Sequence, residues 1–453
     1  MSGLFESLSS AANALTAHRL GLDVVGQNMA NVNTEGYTRR RILLAELAPT
    51  DALSAGRGVE VLGVLSLRDT LADARVRREQ QGASFDDGLL EALSTVERTI
   101  GLPGASLDAR LTAFFDAFAG LASDVTSATA RDAVVQQAVL LTRAFGDQAT
   151  GLAQAQRDAD AAIRSAVRDI NGLTTTIAAM NAQIVAGGPD VETIRDRQTL
   201  ALEQLAELVD VAVIARADGG VDVTIGNGRA LVIGASSYAV DVTASGPATL
   251  TLEGVDITAS ITGGRVGGFI HARDVLIPSY QSRLDRLAFD LAGAINAAHA
   301  AGFDANGAAG GAFFTPPATV AGAAAALAVD PVLAADSALI AASGTGSPGD
   351  NQAARALAAL RDAPIVAGNS LSVAEAWGGL AQAVGHDVAA TRASSETRAQ
   401  IVLQMQRLRD QASGVSLDEE AANLMKFQRA YQASARYFTT ISDTLDTLME
   451  MVR

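Results

Sequence analysis

The chain has 453 residues, with 34 basic against 50 acidic side chains, a formal net charge of −16, and 49% hydrophobic but only 4% aromatic residues. The acidic balance argues against nucleic acid or an anionic membrane surface as the main partner. The absence of cysteine excludes disulfides, thiolate metal sites and cysteine nucleophiles. Apolar content carried by Ala, Leu and Val suits helices, and the length allows two to four domains.

Stepping from Leu4 by alternate fours and threes meets Leu4, Leu8, Ala11, Leu15, His18, Leu22, Val25, Met29 and Val32. That is a heptad stripe over the first thirty-odd residues, and it predicts a helix with one apolar seam. His18 is either a register-setting polar position in that seam or a partly exposed edge position. Asn31, Thr34 and Gly36 then end the helix and turn the chain before Tyr37. Arg39-Arg40-Arg41 is either a solvated run or a contact for an acidic neighbouring subunit. Glu6 and a run of Ser and Asn interrupt the N-terminal apolar pattern, so no cleavable secretory signal is expected. No membrane insertion is expected either, because the most apolar window, 319–343, carries Asp330, Pro331 and Asp336.

Residues 41–68 read as short strands or loop punctuated by Gly56 and Gly58. A helix is predicted over 71–100, stopped by Gly101 and Pro103, and Ser106 starts another with Leu107, Leu111, Phe114, Phe118 and Leu121 on one side. A long helical pattern covers 128–186 through Val134, Leu141, Phe145, Leu152, Ile163, Ile170, Ile177 and Ile184, with Gly146, Gly151 and Gly172 as candidate kinks. It would span about 90 Å unbroken. Gly187-Gly188-Pro189 stops it, and a further helix covers 191–209. At Val211 the period changes to two. Short strands follow, joined through Asp218-Gly219-Gly220 and Asn227-Gly228, and predict a small antiparallel domain over 211–263.

Helix returns over 267–302, with an interruption expected near Pro278. Residues 315–375 are rich in Ala, Gly and Pro and read as irregular and loosely packed. A helix over 376–411 offers Ile401, Leu403, Met405 and Leu408 as core candidates, and Gly414 separates it from the closing stripe. That stripe is Leu417, Ala421, Leu424, Gln428, Tyr431, Ala435, Phe438, Ser442, Leu445, Met449 and Val452. Ser416 and Glu419 have capping-box spacing, and Asp418, Glu419 and Glu420 suit the first turn of a helix. The two terminal stripes are expected to pair with each other, and neighbouring copies to complete their cover.

No set of residues reads as catalytic. Gly344-Thr345-Gly346-Ser347-Pro348-Gly349 fits a G-x-G-x-x-G pattern, yet Pro348 removes an amide donor and no βαβ rhythm surrounds it. The four histidines, His18, His271, His299 and His386, are scattered. Asp304-Ala305-Asn306-Gly307 reads as a turn, since the further positions of a calcium loop are not met. Neither an enzymatic activity, a cofactor nor a metal is expected.

Three stretches carry a resemblance. Ala30-Asn31 with Thr34 and Gly36-Tyr37 closes the first helix; 414–424 and 427–436 form the terminal pattern; and Arg273-Asp274, Pro278, Tyr280, Asn296, His299, Gly302, Asp304, Gly307, Gly310 and Phe313-Phe314 follow in order. On these the chain resembles the axial proteins of the bacterial flagellum (rod, hook and hook-associated proteins), and within them the hook-associated proteins of the hook–filament junction. Family members often carry Pro at Glu35 and Ser at Thr38, so only the stiffness of the turn differs.

The expected fold class is mainly α with inserted β, an α+β multidomain chain. Paired coiled-coil helices at 1–40 and 412–453 form an assembly domain, 41–210 and 264–411 a helical rod domain with 315–375 irregular, and 211–263 the inserted β domain. The resemblance implies a structural subunit that joins hook to filament by helix-mediated self-assembly. Its partners would be copies of itself in a tubular homo-oligomer, the hook protein, the second junction protein, and a cytoplasmic export chaperone on the C-terminal helix. It further implies flagellar export and an extracellular place in the flagellum. The expected assembly residues are Leu4, Leu8, Leu15, Leu22, Val25 and Met29; Asn31, Thr34, Gly36 and Tyr37; and Leu417, Leu424, Tyr431, Phe438, Leu445 and Met449. Two alternatives stay open: another axial subunit of hook, rod or flagellin type, or a nucleotide-binding enzyme using 344–349.

Overall fold

The computed structural model of the protein describes residues 2–48, 57–101, 107–226 and 228–451. The punctuation expected at Gly56, Pro103, Ser106 and Asn227, and the last stripe position Val452, lie outside the described residues. The chain opens with α1 (Ser2–Ala30), followed by a two-stranded antiparallel ribbon, β1 (Arg40–Glu46) and β2 (Val59–Ser66). A helical body follows, built on α2 (Thr70–Ile100), α3 (Leu107–Ser123), α4 (Ala128–Ala186) and α5 (Val191–Leu208). Asp69 caps α2 by accepting the amides of Leu71 and Ala72 at 3.0 Å.

Helix α4 runs for 59 residues without a break, about 90 Å, so none of its glycines interrupts it. Gly151 instead makes room, since a Cβ there would meet the Thr99 side chain at 2.3 Å. The apolar stripe from Val134 to Ile184 is buried along the whole length of α4. An aromatic cluster pins α3 to the distant segment at Phe313 and Phe314. In it the rings of Phe114, Phe118, Phe313 and Phe314 lie 4.9 to 5.8 Å apart.

The inserted β region forms two antiparallel sheets. One holds β3 (Val211–Ala215), β4 (Val221–Ile225), β5 (Arg229–Ile233) and β6 (Ser236–Ser237); the other holds β7 (Val240–Val242), β8 (Leu250–Leu252) and β9 (Val255–Asp256). Polar side chains of α4 grip the strand backbone: Asn171 pairs both ways with Val240, and Asn181 binds Val221 and the Gly234 carbonyl. Each satisfies backbone groups that would otherwise be left unpaired against the helix.

Helix α6 (Gly264–His271) leads through a π turn at Ala272–Leu276 into α7 (Ile277–Ala300). The interruption expected near Pro278 therefore falls just before it, and Pro278 stands in the first turn of α7, where a missing N–H is tolerated. On the π turn, Arg273 is buried and reaches Asp160 at 2.9 Å and the Ala248 carbonyl at 2.6 Å.

The stretch expected to be loosely packed is held firmly, because side chains of α7 supply the hydrogen bonds its irregular backbone lacks. Just before it Asn296 Oδ1 accepts the amides of Phe313 and Phe314, and within it Asp285 accepts those of Gly322 and Ala324 and Asp290 that of Ala367. Only short helices occur here: α8 (Ala323–Ala326), α9 (Pro331–Ala335) and α10 (Gln352–Ala359). His299, fully buried, donates from Nδ1 to the Gly311 carbonyl at 2.8 Å and accepts the Ala341 amide at Nε2. Accepting the Ala341 amide at Nε2 needs the neutral ring. Burial accordingly lowers its pKa below the ordinary value, with the Gly311 carbonyl acting the other way.

Above about pH 6.5 the His299 ring is neutral folded or unfolded and adds no pH dependence. Below it only the unfolded chain takes up the proton, so stability should fall until the lowered folded pKa is reached. Thermal melts of the wild type and His299→Gln at a series of pH values test this. The variant should be less stable throughout but should lose this part of the acid slope.

The chain closes with α11 (Val373–Ser413) and α12 (Leu417–Met451). A complete capping box between Ser372 and Glu375 starts α11. Helix α11 buries Trp377, Leu380, Val384, Val388 and Val402. The expected core set near its end is corrected: Leu403 and Leu408 are exposed and Ile401 and Met405 only half-buried. Their spacing is helical, but one packed face cannot take residues on both flanks.

Candidate functional site

Helices α1 and α12 lie against each other, as the two terminal stripes suggested, but the seam is phased differently. Of the expected α1 positions, Val25 is buried, while Leu4, Leu8, Leu15, Leu22 and Met29 are half-buried. On α12, Leu424, Phe438 and Leu445 are half-buried, whereas Leu417, Tyr431 and Met449 are exposed at 50%, 37% and 65%. The buried positions are Ala11, Ala17, Gly21, Val24, Val25 and Asn28 on α1, and Glu420 and Ile441 on α12. Phe427 fits a notch at Gly21, where any Cβ would stand 2.6 Å from the ring. His18 is half-buried, with its ring 6.3 Å from that of Phe427 and its pKa lowered by burial. One partner helix covers only one side of α12, and the remainder of the stripe faces outward.

Where the pair meets the body, the turn after α1 builds a polar knot. Gly36 takes φ +75°, which suits a glycine, and the Thr34 and Tyr37 amides close the turn on the carbonyls of Asn31 and Thr34. Thr34 is exposed, and Asn31, Gly36 and Tyr37 are half-buried. The turn swings Tyr37 back so that its hydroxyl donates to Asn28 Oδ1 at 2.8 Å. The same oxygen accepts the Arg40 amide at 3.0 Å, and Asn28 Nδ2 donates to the Arg40 carbonyl and to Glu420 Oε2. Glu420, 1% exposed, also accepts Arg39 at 2.8 Å, and Glu419 binds the same guanidinium at 2.5 Å. Burial raises the Tyr37 pKa, with Arg40 opposing; the Arg40 guanidinium lies 4.9 Å from the ring centroid.

A second node joins this knot to the body. Asp196 on α5 accepts Arg40 at 2.9 Å and Arg68 at 2.5 Å, and Arg68 also donates to Thr38. The Arg39 amide donates to the Ser413 carbonyl, and the Asp69 amide to Ser413 Oγ. Both readings of the arginine run are therefore corrected for two of its members. Arg39 and Arg40 are neutralised by acids of their own chain, and Arg41 alone is exposed. The arrangement is a rigid joint, because turning the terminal pair would break buried, charge-assisted bonds.

Among the described residues there is no group of His, Cys, Asp or Glu suited to a metal ion. The glycine-rich loop at 344–349 is already occupied by its own acid. Asp350 accepts the amides of Gly344 and Thr345 and the hydroxyls of Ser343 and Thr345, and the Gly346 amide goes to Ser343 Oγ. Asp350 also takes the Gln352 amide, and these donors hold its pKa far below the usual carboxylate range. The amides of 344–346 are thus unavailable to a pyrophosphate. Asp304 closes its turn on the amides of Asn306 and Ala308.

Sequence reasoning missed Asn28, Gly21, Phe427, Arg68 and Asp196, and treated Glu420 only as a first-turn acid. The signals were slight: a polar residue one position off the apolar stripe, and a glycine inside a helix.

Residues 93–314 match the family described as flagellar hook-associated protein FlgK helical domain. Residues 8–38 match the flagella basal body rod protein family, and 409–451 the C-terminal family of flagellar basal body rod FlgEFG proteins. Flagellar hook-associated protein 1 of Bacillus subtilis is 28% identical over 502 residues, covering 99% of this chain and 98% of that protein. The Escherichia coli protein of the same name is 26% identical, covering 98% and 99%. A solved structure of the flagellar hook junction protein FlgK from Burkholderia pseudomallei covers 74% of this chain and 99% of its own, with TM-score 0.66 and 16% identity, a likeness of fold.

Proposed function

Because the chain belongs to the hook-associated protein 1 family, and so is a structural subunit of the flagellar axis between hook and filament, we propose that it makes this joint through the uncovered side of α12. The observation that carries the proposal is that Leu417, Met425, Tyr431, Tyr437 and Met449 stay exposed on a helix whose other side is packed on α1. Large apolar residues left exposed on the flanks of the packed strip over that length are an unfinished interface. Neighbouring copies in a tube cover it from the sides, the hook protein on one end and the second junction protein on the other. Before export a cytoplasmic chaperone shields the same helix, and the chain reaches the flagellum without a cleaved signal. The half-buried positions Leu4, Leu8, Leu15, Leu22, Leu424, Phe438 and Leu445 supply the flanks of that contact, with Val25 and Met29 beside the joint. The role is structural rather than catalytic, as in the relatives. The match over 93–314 favours the junction subunit over other axial subunits, whose likeness here is confined to the two ends.

The test is electron microscopy of cells carrying either a chain cut after Ser413 or the double variant Leu417→Asp/Tyr431→Asp. Both should leave hooks without filaments. The double variant changes only exposed positions, so its isolated chain should melt within about 0.5 kcal/mol of the wild type. Filaments of ordinary number and length on those cells would overturn the proposal.

A further inference from the structure

The β1–β2 ribbon bears a dense group of exposed large apolar residues that the joint does not use. In its register Arg41 lies opposite Leu65, Leu43 opposite Gly63 and Ala45 opposite Glu60, with the bulge at Leu62. Ile42 is buried, and Gly58, just before β2, is seated against Ser10 of α1. The opposite face therefore presents Leu43 and Leu65, which are 42% and 44% exposed; Leu62, unpaired at the bulge, is 59% exposed, and Leu44, beside Ile42, is 39% exposed at the rim. Exposed Arg41 stands at one end of this patch and exposed Glu60 at the other. Four residues of strand separate the two levels, about 13 Å.

The first three turns of α12 offer a counterpart. Leu417, Ala421 and Met425 follow one another at intervals of four and are all exposed. Exposed Asp418 stands at the start of that row and exposed Arg429 beyond its end, eleven residues on, about 16 Å. The difference from 13 Å is well within the reach of an arginine side chain. The order of charges is opposite: base, leucines, acid on the ribbon, and acid, apolar row, base on the helix. Among the described residues none of Arg41, Glu60, Asp418 and Arg429 has an ion pair in its own chain. Both faces are open in the single chain, so neither covers the other there.

We propose that the outer face of the ribbon of one subunit docks on the first turns of α12 of the next copy, Arg41 against Asp418 and Glu60 against Arg429. Such a contact joins two different surfaces head to tail, and repeated around an axis it generates a ring or helical tube rather than a closed pair. This deepens the functional reading above and rests on it, since it names which copy-to-copy contact uses the start of α12.

The chain has no cysteine of its own, which makes cross-linking decisive. Two single variants, Leu43→Cys and Met425→Cys, are to be expressed together in otherwise wild-type, motile cells, and isolated hook–filament junctions oxidised. A disulfide-linked dimer should form when both variants are present and be at least fivefold weaker with either alone. Adding Arg41→Glu to the Leu43→Cys chain should reduce the dimer about fivefold, and Asp418→Arg on the Met425→Cys chain should restore it, as opposed and matched charges require. Junctions that contain both chains but give no mixed dimer, or a dimer indifferent to the charge changes, would overturn the docking while leaving the function intact. A chain that is absent from the flagella would overturn both.

Discussion

Glu420→Ala should destabilise the union of the terminal pair and the body by about 3 kcal/mol. The carboxylate is 1% exposed and is the shared acceptor of Arg39 and Asn28. Its removal leaves the Arg39 guanidinium, 20% exposed, with Glu419 alone and the buried Asn28 amide with the Arg40 carbonyl alone. Glu420→Gln, which keeps an oxygen for Arg39 but loses the charge, should fall in between. The effect is local, so hydrogen exchange is the informative measurement: amides of α1 and α12 should lose protection while those of α4 keep theirs. Protection of α12 unchanged in Glu420→Ala would show that the knot does not hold the joint.

The second large effect is expected at the crossing of α2 and α6, where two backbones touch. A Cβ on Gly268 would lie 2.2 Å from the Phe85 carbonyl and 2.7 Å from the Leu89 amide, and one on Gly88 2.5 Å from the Arg265 carbonyl. Backbone atoms inside a packed helix cannot step aside as a side-chain tip can, so Gly268→Val should cost about 3 kcal/mol or more, at the upper end of overpacking. Gly293 gives the opposite sign. It sits inside α7 with nothing within 4 Å of its would-be Cβ, so Gly293→Ala should stabilise by about 0.5–1 kcal/mol. Denaturant melts of the two variants decide the matter. A tolerated valine at 268 would mean the helices can separate without loss.

The contrast between these glycines shows where reading the chain alone stops. Both stand inside helical patterns, and no local feature tells the one that admits a neighbouring backbone from the one that faces water. The phase of α12 is a similar case. Leu417, Ala421, Leu424, Met425 and Tyr431 occupy more than one flank of the helix, so stepping by fours and threes finds an apolar stripe but not the strip a single partner will cover. The stripe in fact runs beside the seam, and its exposed part is what the functional proposal uses. The arginine run failed for another reason. Charge patterning cannot pair Arg39 with Glu420, 381 residues away, or Arg40 with Asp196.

What the sequence determined by itself is everything governed by neighbours in the chain. The long α4, the change of period at Val211, the turn at Gly36 and the acidic start of α12 all follow from local periodicity, backbone preference and the helix dipole. The resemblance of the ends and middle to flagellar axial proteins was legible for the same reason, being carried by contiguous patterns. Tertiary structure alone decided the notch at Gly21, the knot around Asn28 and Glu420, the occupation of the glycine-rich loop by Asp350, and the firm packing of 315–375 on α7. Each depends on groups brought together from distant parts of the chain, and burial turns those meetings into strong bonds by taking the polar partners out of water.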